Sequence, residues 1–185
     1  MSELLDCRGA ELYGLGKALV GSGASFRVEV RGLSMYPFLK EGDAVEVAPI
    51  QMGEVDRGEV VFFRSRDRLL AHRVIEVAEG DLGTHLVTRG DIFRQADPPV
   101  SEESLIGLVA TVYRARRGRV HAIRLDRGLA RWLGLLMARS RTVHRCVRGL
   151  APFMMYCEGL ARGVSVAEAE RRAETEAALE ETRRP

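Results

Sequence analysis

The chain has 185 residues, of which 46% are hydrophobic and 29% are charged, so it is long enough for one domain with a packed core and an appendage. Its net charge of +2 gives no general case for nucleic acid or a membrane surface as a partner. The cysteines, Cys7, Cys146 and Cys157, are far apart in the sequence, which predicts free thiols in a reducing compartment rather than a metal site or a disulfide framework.

The first predicted element is a helix over residues 3–20, where leucines recur at helical spacing before Gly21 and Gly23. We assign residues 1–25 to this N-terminal helix. The opening MSELLDCRGAE has acids where a secretory signal has a basic region, so we expect no such signal. No segment approaches about 20 uninterrupted apolar residues, so we also expect no membrane-spanning helix.

The middle of the chain, residues 26–126, alternates between apolar and polar side chains. Valine-rich segments bounded by Gly, Asp and Pro predict strands at 26–32, 44–49, 59–64, 69–78, 85–90, 105–115 and 119–125. Because no helical pattern separates them, we expect a mainly β fold. Its core would be antiparallel and barrel-like or sandwich-like.

Helical spacing returns in residues 127–185, which we expect to be a helical extension with a charged, alanine-rich tail over 166–185. The pattern predicts a break near Pro152. Apolar faces combine with arginines in LARWLGLLMARS and RGLAPFMMYCEGLARG. We expect these helices to pack on the strand core or on a second chain, as in a homo-oligomer. The alternative is peripheral contact with a membrane surface.

Four short patterns lie at turns and strands of the β region: GLSMYP with Ser34, EGD at 41–43, AHRVIEV with His72, and TRGDIFRQADPPV at 88–100. Ser34 alone fits a turn serine, and His72 alone fits a half-buried strand residue. Together with Asp91 and Asp97 they favour a hydrolytic site. A serine nucleophile needs a base, and a histidine base needs a carboxylate to orient it.

These patterns, in this order, resemble the signal peptidase I/LexA superfamily of serine peptidases, and most closely the archaeal and endoplasmic-reticulum branch of signal peptidase I. That branch has Ser-Met followed by proline, a His-Arg-Val strand, and a Lys/Arg-Gly-Asp turn with a second aspartate six residues later. The resemblance covers roughly residues 26–112. It departs at Gly58-Glu59, where the family has Gly-Asp.

The resemblance implies that Ser34 is the nucleophile and His72 the general base, where bacterial signal peptidases and LexA-type proteins have lysine. Histidine suits this role because its ordinary pKa is about 6.5, whereas a lysine base must be strongly desolvated. We expect Asp97 to orient His72 and Asp91 to brace the site through nearby backbone N–H groups. The reverse assignment of the two aspartates is the alternative.

Other residues near the nucleophile have predicted supporting roles. The Ser34 backbone N–H is the expected first donor to the oxyanion. Met35 and Pro37 are candidate substrate-binding positions, although a core role for methionine and a turn role for proline are favoured. Asp43 is expected to have a turn or scaffold role. His85 and His121 are predicted to be surface strand residues.

His144 has no predicted partner, and we expect the protein to use no cofactor and no metal. The expected function is that of a serine endopeptidase that cuts a leader or signal segment from a peptide or protein precursor. Without a spanning helix, the chain resembles a cytoplasmic relative of the membrane-anchored enzymes. A non-catalytic peptide-binding module of the same fold is one alternative. A LexA-like self-cleaving regulator is another, which the short N-terminal region and the missing lysine disfavour.

Overall fold

The computed structural model describes residues 9–66, 68–80, 83–116, 119–126 and 128–162. Cys7 and the predicted tail over 166–185 lie outside them. The helices are α1 (Gly9–Gly21), α2 (Gly128–Arg139) and α3 (Arg141–Arg162), with a 3₁₀ turn at Met52–Glu54. The strands are β1 (Phe26–Glu29), β2 (Ala44–Ala48), β3 (Val60–Ser65), β4 (Arg68–Gly80), β5 (Gly83–Arg89), β6 (Leu105–Arg116) and β7 (Arg119–Arg124).

The described strands form one antiparallel sheet in the order β1-β2-β6-β3-β4-β5, and β7 pairs with the second half of β6. The prediction of a mainly antiparallel β core with an N-terminal helix and C-terminal helices is confirmed. The expected barrel-like closure is not found among these strands. The outer edge of β5 is instead covered by Val100, which exchanges two backbone hydrogen bonds with Leu86.

Alternating apolar residues place the core where the sequence pattern predicts it. In β2, Val45 and Val47 are buried and lie in a cluster with Leu12 of α1 and Phe26 of β1. A second cluster contains Phe63 and its neighbours on β3, β4 and β5. Each predicted strand is present, with bounds shifted by a few residues. Register follows the buried face because a one-residue slip would expose it.

The C-terminal helices differ from the prediction in where they break. The break falls at Ser140, whose hydroxyl accepts a hydrogen bond from the Val143 N–H and so caps the start of α3. The predicted break at Pro152 is wrong, since α3 continues through this exposed residue. Within the described ranges, no helix has the length and apolar character needed to cross a membrane.

Candidate active site

Ser34 lies in the turn that connects β1 to β2. Two backbone hydrogen bonds shape this turn, from Tyr36 N–H to the Leu33 carbonyl (2.9 Å) and from Leu39 N–H to the Met35 carbonyl (3.0 Å). The side chains of Met35 and Leu39 are buried in the first core cluster, whereas Ser34 is half-buried. The two anchors therefore hold the turn against the core and leave the serine at its surface.

Asp43 fastens the same turn to β6. Its buried carboxylate accepts hydrogen bonds from Arg114 Nε (2.9 Å to Oδ1) and Nη2 (2.6 Å to Oδ2), and from the Lys40 backbone N–H (2.8 Å). Arg114 Nη2 also donates to the Phe38 carbonyl (3.0 Å). A bidentate arginine–carboxylate pair fixes both distance and orientation. This geometry gives Asp43 the scaffold position that the sequence indicated.

His72 is fully buried on β4, with its ring held by a carboxylate. Its Nδ1 lies 2.6 Å from Oδ2 of Asp97. Asp97 is itself fixed to β5, since its N–H donates to the Thr88 carbonyl (2.8 Å) and Thr88 Oγ1 donates to its Oδ2 (2.8 Å). The carboxylate that contacts His72 is therefore that of Asp97 rather than Asp91. It also has a hydroxyl partner that sequence reasoning missed.

The other ring nitrogen of His72, Nε2, is buried and has no hydrogen-bond partner among the described residues. The rings of Phe63 and Phe93 meet the imidazole edge-on, with centroids 6.2 and 5.9 Å from its own. These aromatic neighbours keep water from the ring and lower the local dielectric constant. An unpartnered nitrogen in such surroundings costs free energy unless another group is brought to it.

Gly90 is the point where the ring of His72 meets the turn of Ser34. A Cβ atom built on Gly90 would lie 3.3 Å from His72 Nε2 and 2.9 Å from the Ser34 carbonyl oxygen. The separation between His72 Nε2 and the Ser34 carbonyl oxygen therefore cannot exceed the sum of these two distances. The Ile92 N–H also donates to the Ser34 carbonyl (3.1 Å). Only glycine leaves room for this approach, so any side chain here would separate the histidine from the serine turn.

The Ser34 hydroxyl does not donate to His72 Nε2, because that nitrogen has no partner within the described residues. Hydrogen bonds between a nucleophile and its base are often long before substrate binds, and they shorten in the complex. The structure thus brings the serine turn and the imidazole to the same glycine.

Asp91 is also buried but has a different partner. Its carboxylate accepts from Arg73 Nε (2.8 Å) and Nη2 (2.7 Å), and Arg73 Nη1 donates to the Gly58 carbonyl (2.8 Å). The predicted bracing role therefore runs through a guanidinium rather than through backbone N–H groups. Helix α2 covers this ion pair, since a Cβ on Gly134 would lie 2.6 Å from Arg73 Nη1 and from the Gly58 oxygen.

A second buried histidine, His144 of α3, lies beside the loop that carries Gly90 and Asp91. Burial lowers the pKa of His144, and the charges of Arg89 and Arg148 lower it further. The carboxylate and backbone of Asp91 act in the opposite direction. Its Nε2 is buried without a partner among the described residues. Nothing in the arginine-rich segment around His144 indicated this position.

The remaining predicted residues lie where an ordinary structural role would put them. Met35 belongs to the core, Pro37 is half-buried in the turn, and His121 is exposed on β7. His85 is half-buried on β5. Besides Thr88, sequence reasoning missed Arg73 and Arg114, although Arg73 lies within the His-Arg-Val pattern. A charged residue in the middle of a valine-rich strand was the available signal.

Comparisons of the chain with models of known protein families, with curated proteins and with solved structures found no match. The chemistry of the site is therefore inferred from its own residues. A half-buried serine near a buried imidazole that is bonded to a carboxylate is compatible with serine-nucleophile chemistry.

Proposed function

We propose that this chain is a serine endopeptidase of the signal peptidase type that removes a leader or signal segment from a peptide or protein precursor. The observation that carries the proposal is the contact of 2.6 Å between His72 Nδ1 and Asp97 Oδ2. With Nδ1 bonded to Asp97, the other nitrogen of this fully buried ring, Nε2, lies beside the Ser34 turn. A carboxylate on one nitrogen is what prepares the other nitrogen to accept a proton.

In the proposed mechanism, the Ser34 hydroxyl donates a hydrogen bond to His72 Nε2 in the substrate complex. The imidazole takes the hydroxyl proton as the oxygen attacks the peptide carbonyl carbon, and the Ser34 backbone N–H stabilises the developing oxyanion. His72 then gives the proton to the leaving amine, which departs with the C–N bond broken. Water, deprotonated by the same nitrogen, hydrolyses the acyl-enzyme and restores the serine.

Asp97 holds the proton of the imidazole on Nδ1 and stabilises the imidazolium that forms during the reaction. Thr88, by donating to the same carboxylate oxygen, fixes the direction of that carboxylate. The apolar ring contacts of Phe63 and Phe93 support this arrangement, since charge interactions are stronger where water is excluded.

The substrate in this proposal binds as an extended segment along the outer edge of β1. Among the described residues that edge has no strand neighbour, and the strand leads directly into the Ser34 turn. Main-chain hydrogen bonds at a strand edge supply affinity and tolerate varied side chains. The family resemblance adds a preference for small residues at the first and third positions before the cut. The exposed free thiols of Cys146 and Cys157 fit a cytoplasmic precursor.

The direct test is cleavage of a synthetic peptide library by the wild type and by Ser34→Ala, with fragments identified by mass spectrometry. We expect the variant to lose cleavage and to keep cooperative thermal unfolding, because a half-buried hydroxyl contributes little to packing. Ser65→Ala, at another half-buried serine, is the matched control and should cleave normally. Normal cleavage by Ser34→Ala would refute the proposal, and loss of its cooperative unfolding would favour a structural turn role for this serine.

A non-catalytic peptide-binding module is the second candidate, and the missing Ser34–His72 hydrogen bond favours it. A binding module would capture extended peptides from the same library and release them uncut. Isothermal titration calorimetry on any captured peptide, with intact mass measured afterwards, separates the two functions. Binding without fragments, unchanged by Ser34→Ala and His72→Ala, would establish the module and exclude the peptidase.

A further inference from the structure

Helix α2 has apolar side chains on two opposite sides. The side toward the sheet includes three buried residues: Gly134, Met137 and Ala138. On the other side, Leu129 is 74% exposed, Trp132 is 62% exposed, and Leu133 is exposed as well. Their spacing of three and four residues places them on one helical face. Large apolar side chains gathered on one exposed face mark an interaction surface.

Helix α3 repeats this arrangement. His144 and Ala151, seven residues apart, are buried on its inner side. Leu150, Phe153 (64% exposed) and Met154 are exposed and again follow the spacing of three and four residues. The two helices contact each other. Helix α2 thus uses one side for the sheet, α3 buries one side beside the loop that carries Asp91, and both present a second apolar side to solvent.

Positive charge is concentrated on the same two helices. Residues 128–162 contain six arginines and one acidic residue, Glu158, which pairs with Lys40. At the corner between the helices, the exposed residues Arg139, Arg141 and Arg145 have no ion pair with another described residue. Arg139 follows Trp132 by seven residues and therefore lies on the face of that tryptophan. Apolar surface and positive charge coincide here.

We propose that this surface lies on a lipid bilayer that contains anionic lipids. We call it the apolar helix face and define it by Leu129, Trp132, Leu133, Leu150, Phe153 and Met154. Its side chains would enter the boundary between headgroups and acyl chains, while the corner arginines bind lipid phosphates. This inference is independent of the proposed peptidase activity.

A second copy of the chain fits the apolar helix face less well than lipid does. In a two-fold symmetric contact the same surface meets itself, so Arg139, Arg141 and Arg145 would face a surface that is itself rich in arginine. Like charges directly opposed disfavour such a contact, whereas anionic headgroups neutralise them. Binding by the outer sides of α2 and α3 also leaves their buried sides covered, including Gly134 of α2 against Arg73.

Trp132 is the only tryptophan of the chain, so its fluorescence reports directly on this face. The full chain is mixed with vesicles of phosphatidylcholine alone, or of phosphatidylcholine with phosphatidylglycerol. Emission and co-sedimentation are then measured. We expect a blue shift and binding at least about tenfold stronger with the anionic vesicles, weakened by added salt because exposed charges are screened. No binding to anionic vesicles would overturn the inference.

Substitution then localises the contact. Leu129→Glu and Phe153→Glu should each weaken binding to anionic vesicles by about tenfold or more, because each removes a large inserted side chain and adds a negative charge. Val120→Glu on β7 is the matched control, since Val120 is 70% exposed and the charge change is identical. All three positions are exposed, so the variants should fold, which circular dichroism checks.

Two further outcomes would also overturn the proposal. Equal weakening by Val120→Glu would show that net charge, and not the apolar helix face, determines binding. Analytical ultracentrifugation of the chain without lipid tests the other occupant. A concentration-dependent dimer that blue-shifts Trp132 emission and is lost in Leu129→Glu would assign the face to a second copy.

Discussion

Two buried histidines, His72 and His144, lie beside the loop that contains Gly90 and Asp91, and each has an Nε2 atom without a partner among the described residues. Their other surroundings differ. His72 has the Asp97 carboxylate 2.6 Å from Nδ1, whereas the strongest influences on His144 are its burial and the positive charge of Arg89. The two imidazoles therefore lie in opposite electrostatic environments beside the same loop.

The difference shows what burial alone does not provide. A carboxylate beside Nδ1 stabilises the imidazolium that a general base must become, whereas nearby arginines destabilise it. His144 is therefore held neutral and suits packing of α3 on the β5 loop, while His72 suits proton transfer. The predictions that follow separate the chemical histidine from the structural one.

The largest expected effect is that of Asp97→Asn. An amide cannot stabilise the imidazolium and can favour the wrong tautomer, so kcat on a cleaved peptide should fall by up to about 10⁴-fold. Asp91→Asn is the paired variant. It breaks the buried pair with Arg73, so it should lower the free energy of unfolding by about 3–5 kcal/mol. Urea denaturation and kcat are measured for both, and a larger fall of kcat in folded Asp91→Asn would reverse the two roles.

His72→Lys should also be inactive, but for a different reason. Asp97 would keep a lysine ammonium charged, and a charged amine cannot act as a base. The rate of cleavage of one peptide by the wild type and by His72→Lys is the measurement. Cleavage by His72→Lys at the wild-type rate would show that His72 is not the general base.

Thr88→Val should have an intermediate effect. The valine keeps the size of the threonine but removes the hydroxyl that donates to Asp97 Oδ2. Loss of one hydrogen bond to a charged group corresponds to about 2 kcal/mol. We therefore expect kcat to fall by roughly thirtyfold, with KM little changed, because Thr88 acts through Asp97. Thr111→Val, at a buried threonine of β6, is the control. Equal losses of kcat in both variants would mean that Thr88 contributes only to packing.

The smallest effect is expected at His144 and concerns stability rather than rate. Its folded-state pKa lies below the ordinary value of 6.5, so the unfolded chain binds the proton more readily. Stability is therefore greatest above that value and decreases as the pH falls below it. His144→Leu should reduce the decrease, whereas the exposed control His121→Leu should not. Thermal unfolding across this pH range is the measurement. An unchanged slope in His144→Leu would contradict the assignment.

The sequence by itself determined the strands of the sheet, the candidate residues Ser34 and His72, and the scaffold position of Asp43. Alternation of valine with polar residues predicts β2 and β4 because strand side chains point to opposite faces with a period of two. Ser34 and His72 could both be predicted as site residues although they are far apart in the chain, because each lies in a recognisable local pattern. What could be predicted was local in the chain, where neighbouring residues carry the signal.

Only the tertiary structure decided which carboxylate reaches His72, what holds Asp91, and which sides of α2 and α3 are covered. Asp91 and Asp97 are close in sequence and chemically alike, so only the path of the loop after β5 distinguishes them. The helices are apolar on two sides, and their periodicity cannot say which side meets the sheet. Close approaches between distant segments, such as that of Gly134 to Arg73, depend on tertiary packing. Local periodicity in the sequence therefore does not predict them.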